Sequence, residues 1–489
     1  MTTKTTTIIS IVFMLLISMN AGANEISTES IQRYATKDPF SFVLLEFGFI
    51  TLLALIGHIV SHHYQWPKML GELLIGIIVG NILYWFDFSP VFYLLMHLAD
   101  ASEVFKSVWT SDLPIADTIQ NFYNSDDAET AAFAEQMLKV FATDQSPALI
   151  IVGISIWLFS SFGVFFLLFK LGIETSPEDI LKKAEPAAYL VSLTGTLLPF
   201  LLGLGFSLWL IPELNTAEHI FLAAALSTTS AGLASHLFAK VHQFNSREAQ
   251  IAIQAAYIDD ISGVFLLGFI ANVVLSNIVG LPAIIAFFIY SLVIFLLIIF
   301  IGKAIVRYIP HYYRFTETHT ILLVPLAMVV LVSWLADIFS IGQISSAFLA
   351  GMILNKLQDK RDIIKGLISL LEKIFAPAFF VFVGMQVNLE LLADPSMLLL
   401  IVCLFLAASI GKIAAGYASL QHIDALAVGI GLLPRGEAVL IFISMGKILG
   451  VMNDAIFSII TIVVLLTNFV TPWVLRYFCS HYCTNKRLN

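Results

Sequence analysis

Charge is scarce in this chain of 489 residues: 12% of positions are Asp, Glu, Lys or Arg, where a soluble domain has about 25%. That deficit excludes an ordinary water-soluble globule. Cysteine is nearly absent. Cys403, Cys479 and Cys483 are the whole set, too few and too badly placed for an extracellular disulfide framework. No basic stripe runs along the chain, which argues against nucleic acid as a partner. There is no His-Glu-x-x-His motif and no Ser/His nucleophile pair, so the common hydrolytic enzyme classes have no footing. A Thr-Val-Gly-Tyr-Gly stretch is missing too, which speaks against a channel filter.

What is there is apolar: 59% of the residues are hydrophobic, in runs long enough to cross a bilayer. Residues 1–23 carry one lysine, a short apolar core and an Ala-Gly-Ala ending, the pattern of a signal peptide, with an uncleaved anchor as the alternative. A short external segment, 24–38, follows. Thirteen spans are then predicted, near 39–63, 69–86, 147–170, 186–211, 217–240, 249–276, 281–307, 317–338, 343–356 with an extension, 374–392, 396–420, 424–449 and 453–477. Together they make an all-α polytopic membrane domain, 39–477, with a cytoplasmic tail at 478–489. With the N-terminus outside, Lys182, Lys183, Lys240, Arg247, Lys303, Arg307, Lys360 and Arg361 all fall in inside loops, as the positive-inside rule requires.

Residues 87–146 interrupt the run of spans. This external insertion is acidic, with Asp126, Asp127, Glu129 and Glu135 close together against Lys106 and Lys139. It reads as a solvated insertion; a cap that gathers cations near an outer mouth is the alternative. A second feature is an echo. "ELLIGIIVGN" at 72–81 resembles "AFLAGMILNK" at 347–356, each in the second span of a six-span half. Six spans, a linker span and six spans give halves of opposite orientation, the inverted repeats of transporters.

Asp259 and Asp260 lie side by side in "AAYIDDISGVF", close to mid-bilayer in the sixth span. Ionised carboxylates there are costly and usually mark ion or proton pathways. A packing ion pair explains one such residue well and two adjacent ones poorly. Successive helical residues point ~100° apart, so the two face different neighbours. Lys412 in "AASIGKIAAGY" is the natural partner; a lysine snorkelling to the inner interface is the alternative. In the fifth span, "LSTTSAG" gathers Thr228, Thr229 and Ser230, a run that favours unwinding and frees oxygens for a cation. Tight packing of small residues is the other reading. In the twelfth, Pro434 and Gly436 break the helix beside Arg435 and Glu437. The two breaks together predict crossed interrupted helices whose dipoles Arg435 and Glu437 partly neutralise, the two also reading as a structural salt bridge, with direct contact to the ion as the alternative.

These stretches, with "LGELLIGIIVG", "AFLAGMIL", "FFVFVGMQVNL" and "LLPRGEAVLIF", resemble the monovalent cation:proton antiporter family 2 of the sodium/proton antiporter superfamily. The matches cover the membrane region in the family's order. The resemblance implies a protomer, usually dimeric, with a core formed by helices about 186–276 and 396–477 and a scaffold formed by the others. It implies that Asp260 carries the cation or proton, that Asp259 pairs with Lys412, and that Thr228, Thr229 and Ser230 are the polar residues of the broken helix. Na+ or K+ would be the cargo, transiently held at Asp260 and Asp259, with no cofactor. Potassium-efflux members of the Kef type share "PRGE" but tend to carry glutamine before the aspartate and a nucleotide-binding domain after the last span. Asp259 in that place, and the missing glycine-rich motif, favour simple sodium/proton exchange in a bacterial inner membrane. Burial and the adjacent carboxylate favour protonated Asp260, whereas Lys412 and bound sodium favour the ionised form. Competition between proton and cation at one carboxylate then couples the two fluxes. His58, His62, His63, His236 and His242 near inner helix ends read as ordinary interfacial residues, with sensing of cytoplasmic pH as the alternative, and the "CSHYC" tail reads as ordinary reduced residues in the cytoplasm.

Overall fold

A bilayer offers no water to backbone polar groups, so each apolar run closes its hydrogen bonds internally as a helix. The computed structural model describes residues 39–86, 146–175, 184–241, 244–276, 280–312, 329–336, 343–355, 361–419 and 423–478, with a few isolated positions between. The predicted signal peptide, the 24–38 segment, nearly all of the insertion, most of the eighth span and the tail beyond Phe478 lie outside the described residues.

Fourteen helices are described: α1 Pro39–Tyr64, α2 Lys68–Trp85, α3 Ser146–Glu174, α4 Pro186–Leu210, α5 Thr216–Ser227, α6 Ala231–Lys240, α7 Arg247–Leu275, α8 Leu281–Tyr312, α9 Gln343–Leu354, α10 Arg361–Met385, α11 Pro395–Gly416, α12 Ala425–Gly431, α13 Glu437–Ile448 and α14 Asp454–Phe478. Ten described stretches are long and apolar enough to cross a membrane, α5 and α6 counting together as one, and α9 is a shorter apolar helix. Eleven of the thirteen predicted spans lie within about four residues of described helices, two of them as broken pairs. The tenth is displaced: the sequence reading put it at 374–392, and α10 runs Arg361–Met385. Charges in its first half hide it from a hydropathy reading. Two of them are paired, Lys365 with Glu174 at 3.2 Å and Glu372 with Lys170 at 3.1 Å. Its end is set at Asn388, whose side chain accepts from Glu390 N and whose N–H donates to Ser458 Oγ. At the end of α9 Asn355 donates to the carbonyls of Ile173 and Thr175, and the extension expected for the ninth span falls on residues outside those described.

The chain divides into two compact units. One contains α1, α2, the start of α3 and residues 377–386. Its core is Ile50, Leu53, Leu83, Ile156, Val381, Phe382 and Met385. The other contains Phe162–Ala376 and everything after Val387. The sequence echo reappears as a contact in each. A Cβ on Gly76 of α2 would fall 3.0 Å from Gly384 Cα of α10; one on Gly172 of α3 would fall 3.0 Å from Gly351 Cα of α9. Gly76 and Gly351 are aligned in the echo, and exchanging the two halves (span 2 for 9, span 10 for 3) turns the α2–α10 pair into the α9–α3 pair. The second unit shows the same order twice: α4, broken α5/α6, α7, and α11, broken α12/α13, α14.

Helix starts are locally encoded. Asn215 and Glu218 form a capping box at α5, with bonds of 3.0 and 2.7 Å. Ser246 caps α7 by accepting from Ala249 N, and Asp394 caps α11, with Pro395 as its first residue. At α4–α11 the helices touch without side chains between them: a Cβ on Gly411 would strike the backbone of Pro199.

Replacing Gly351 with valine should cost about 1–3 kcal/mol, because its Cβ would collide with the Phe169 carbonyl. A lowered midpoint for thermal unfolding of the detergent-solubilised protein checks this; an unchanged midpoint would mean the α9–α3 contact is loose.

Candidate functional site

The 29-residue helix α7 crosses the second unit with Asp259 and Asp260 near its midpoint. Both are buried, 2% and 5% exposed. Across from them α5 stops at Ser227. Thr228 and Ser230 have extended backbone angles, and α6 starts at Ala231. The second break is similar. α12 ends at Gly431, and Leu432–Gly436 run irregularly to α13, which starts at Glu437. The two breaks touch. Ser230 N donates to Pro434 O at 3.3 Å, and a Cβ on Gly436 would collide with the Ser230 side chain. Glycine at 436 is therefore a steric requirement of the crossing.

Unwinding leaves backbone groups that must find partners away from water. Arg435 supplies several. Its guanidinium donates to the carbonyl of Thr228 at the C-terminal end of α5 and, at 3.2 Å, to Ala408 O of α11. A cation at a helix C-terminus is favoured by the dipole. Asn468 of α14 secures the same residue from behind: its amide donates to Arg435 O at 2.6 Å, and its oxygen accepts from Arg435 N at 3.2 Å. Glu437 occupies the first turn of α13, where negative charge suits the dipole. The expected Arg435–Glu437 salt bridge does not appear among the described ion pairs. The guanidinium is turned instead toward two carbonyls, that of Thr228 at the first break and that of Ala408 in α11. The dipole-balancing role expected for both residues has the geometry it needs.

Asp259 is fully engaged. Its Oδ2 accepts from Lys412 Nζ at 2.9 Å and from Thr229 Oγ1 at 2.8 Å. Its Oδ1 accepts from Ser192 Oγ at 2.5 Å and Thr196 Oγ1 at 3.2 Å. Lys412 is 0% exposed, which removes snorkelling as its explanation. Asp260 differs. It has one described hydrogen bond, from Ala231 N at the start of α6, at 3.4 Å. The aspartates thus face different neighbours, as the ~100° helical step requires. The other hydroxyls of the run are used locally: Thr228 Oγ1 donates to Ala225 O and Ser230 Oγ accepts from Leu233 N. A small, largely apolar pocket borders Thr228 and Gly263, walled by Leu168, Val264, Leu267 and Phe442.

The structure therefore gathers Asp259, Thr229 and Lys412 in one buried cluster, with Asp260 and Ser230 at the start of α6 and Thr228 and Arg435 at the crossing. It leaves Glu437 half-buried beside the crossing. Sequence reading missed Ser192, Thr196 and Asn468. The signal for the first two was present: Ser192, Gly195, Thr196, Pro199, Gly203 and Ser207 recur at helical spacing along one face of α4.

Crossed, unwound helices with buried carboxylates at their crossing define a secondary-transporter fold. The chain belongs to the family described as sodium/hydrogen exchanger, transmembrane, which it matches over residues 48–480. It is 28% identical to the high-affinity Na+/H+ antiporter NhaS3 of Synechocystis sp., over 89% of each chain. It is 29% identical to a Na+/H+ antiporter of Enterococcus hirae, over 67% of this chain and 86% of the relative. Its fold is similar to that of the sodium/proton antiporter MjNhaP1 from Methanocaldococcus jannaschii, with a TM-score of 0.56 at 16% identity, covering 90% of this chain and 99% of the other.

Removing one partner of a buried pair strands the other charge. Lys412→Met should cost about 3–5 kcal/mol, and adding Asp259→Asn should recover part of the loss. A double-mutant cycle on thermal stability measures this, and strictly additive costs would deny the pairing.

Proposed function

We propose that this multi-pass membrane protein exchanges Na+ for H+ by alternating access, with Asp260 as the carboxylate that takes proton and cation in turn. The observation carrying the reading is the contrast between the two aspartates. Asp259 is saturated by four donors, whereas Asp260 has one long backbone bond and unspent acceptor capacity. Unfilled, Asp260 is a buried charge next to a second one. Neutralised by either ligand, it lets the surrounding helices cross the membrane field at lower electrostatic cost. A proton and a cation cannot both occupy it, so the fluxes are coupled.

In this reading the helices of about 186–276 and 396–477 form the moving core and the others the scaffold, in a homodimer. The protein lies in the bacterial inner membrane with its N-terminus outside. Arg435, through the Thr228 carbonyl, and the Ser230–Pro434 bond hold the crossed breaks together, so the site moves as one body. Oxygens near Asp260 that keep a free lone pair, Thr229 Oγ1 foremost, complete the cation's shell.

Asp260→Asn should abolish sodium-dependent proton movement in vesicles that carry the purified protein, read by quenching of a pH-sensitive dye. Sodium exchange surviving in that variant would refute the assignment. A panel of Li+, Na+, K+ and Rb+ on the unaltered protein tests the cargo; a response to K+ alone would favour potassium/proton exchange at the same carboxylate.

A further inference from the structure

We propose that the adjoining ends of α6 and α14 form a binding site for an anionic phospholipid, with Lys240 and Arg476 on its phosphate and Trp473 and Tyr477 against its glycerol and upper acyl chain. The site is separate from the buried cluster and does not depend on which aspartate carries the cargo. Two membrane-crossing stretches stop here together, one at Lys240 and one at Tyr477. Their common end lies at the boundary between hydrocarbon and water, the level of lipid headgroups. It is the inner end in the proposed orientation, where basic pockets between helices take anionic headgroups.

Packing makes the two helix ends neighbours. Leu237 and Phe238 of α6 and Leu475 of α14 are buried in one apolar cluster. The residues beside Leu475 turn outward. Trp473, Arg476 and Tyr477 are three or four apart and share one face of α14. Trp473 is 76% and Tyr477 66% exposed, so this face meets the surroundings of the protein and not another helix of it. Lys240 stands close enough to Arg476 for the two charges to act on each other. Each lies in the last turn of its helix, where the dipole favours a cation. The dipole accounts for each alone, but not for two like charges brought together. Among the described residues Arg476 has no ion pair, and Glu185, at the same end of the unit, is engaged with Arg247 at 3.0 Å. A phosphate placed between the cations relieves their repulsion, the guanidinium offering a planar fork and the ammonium a point charge. Free phosphate would meet the same two cations but leave both rings uncovered. Rings with an apolar body and a polar edge suit the headgroup level, and they sit directly on the apolar stretch of α14 that faces acyl chains. The exposed rings therefore favour a lipid as the source of the phosphate.

The test uses the purified, detergent-solubilised full chain. Phosphatidylglycerol is titrated against it and counted on the intact protein by native mass spectrometry, with phosphatidylcholine and inorganic phosphate as the comparison ligands. Phosphatidylglycerol should fill a saturable site that neither comparison ligand fills at the same concentration. In the Lys240→Gln/Arg476→Gln double variant its affinity should fall by about 30-fold, as expected for the loss of two cations near a headgroup. Lys240→Arg/Arg476→Lys, which keeps both charges, should bind within a few-fold of the unaltered protein. Unchanged phosphatidylglycerol affinity in the glutamine variant would overturn the proposal. Equal binding of phosphatidylcholine would overturn it too, because the rings alone would then hold the lipid. So would equal binding of inorganic phosphate, which would make the occupant a free anion. Arg476→Gln alone, at an exposed position, carries the same test if the double variant fails to fold, with a loss of about fivefold. Sodium exchange by the variants is a separate measurement, so the reading of Asp260 and this site stand or fall independently.

Discussion

An ionised carboxylate cannot be taken from water into the middle of a membrane domain unless donors replace its hydration, at a desolvation cost of several kcal/mol. Asp259 is where this chain meets that requirement. One donor comes from α11, two from α4 and one from the unwound link between α5 and α6. Satisfying a single side chain on α7 therefore fixes three other elements around it. On the same face of contact, Gly411 lets α4 and α11 approach without an intervening side chain, since a Cβ there would strike the backbone of Pro199.

The broken helices answer a second demand, which is to expose backbone polarity at mid-membrane without leaving it unpaired. Each break spends its freed groups on the other or on Arg435 and Asn468. The result is a rigid crossing with helix ends aimed inward. The start of α6 points an N–H at Asp260, so that carboxylate sits at a positive dipole end while keeping open acceptor capacity.

Much of this was legible in the chain. Periodicity and length gave eleven of the spans, because a bilayer admits few alternatives to a helix. The Thr228–Ser230 run and the Pro434–Gly436 pair announced the breaks, and the 72–81 and 347–356 echo marked Gly76 and Gly351, which make equivalent contacts. Two readings went astray for definable reasons. The first half of α10 is charged because its side chains pair with Lys170 and Glu174, and hydropathy cannot see a partner two hundred residues away. Arg435 and Glu437 are two apart in sequence and looked like a pair, but the guanidinium meets the Thr228 carbonyl at the opposite break and the Ala408 carbonyl of α11.

The sequence by itself determined that two carboxylates would be buried mid-helix, that a lysine would lie at a matching depth, and that two helices would be interrupted. These are consequences of residue type and period, which are local. The difference in surroundings between Asp259 and Asp260 was not local. It depended on which side of α7 met the hydroxyl face of α4 and which met the first N–H of α6, and adjacent identical residues carry no mark of that difference. Only the tertiary structure, by bringing four donors to one aspartate and one to its neighbour, decided it.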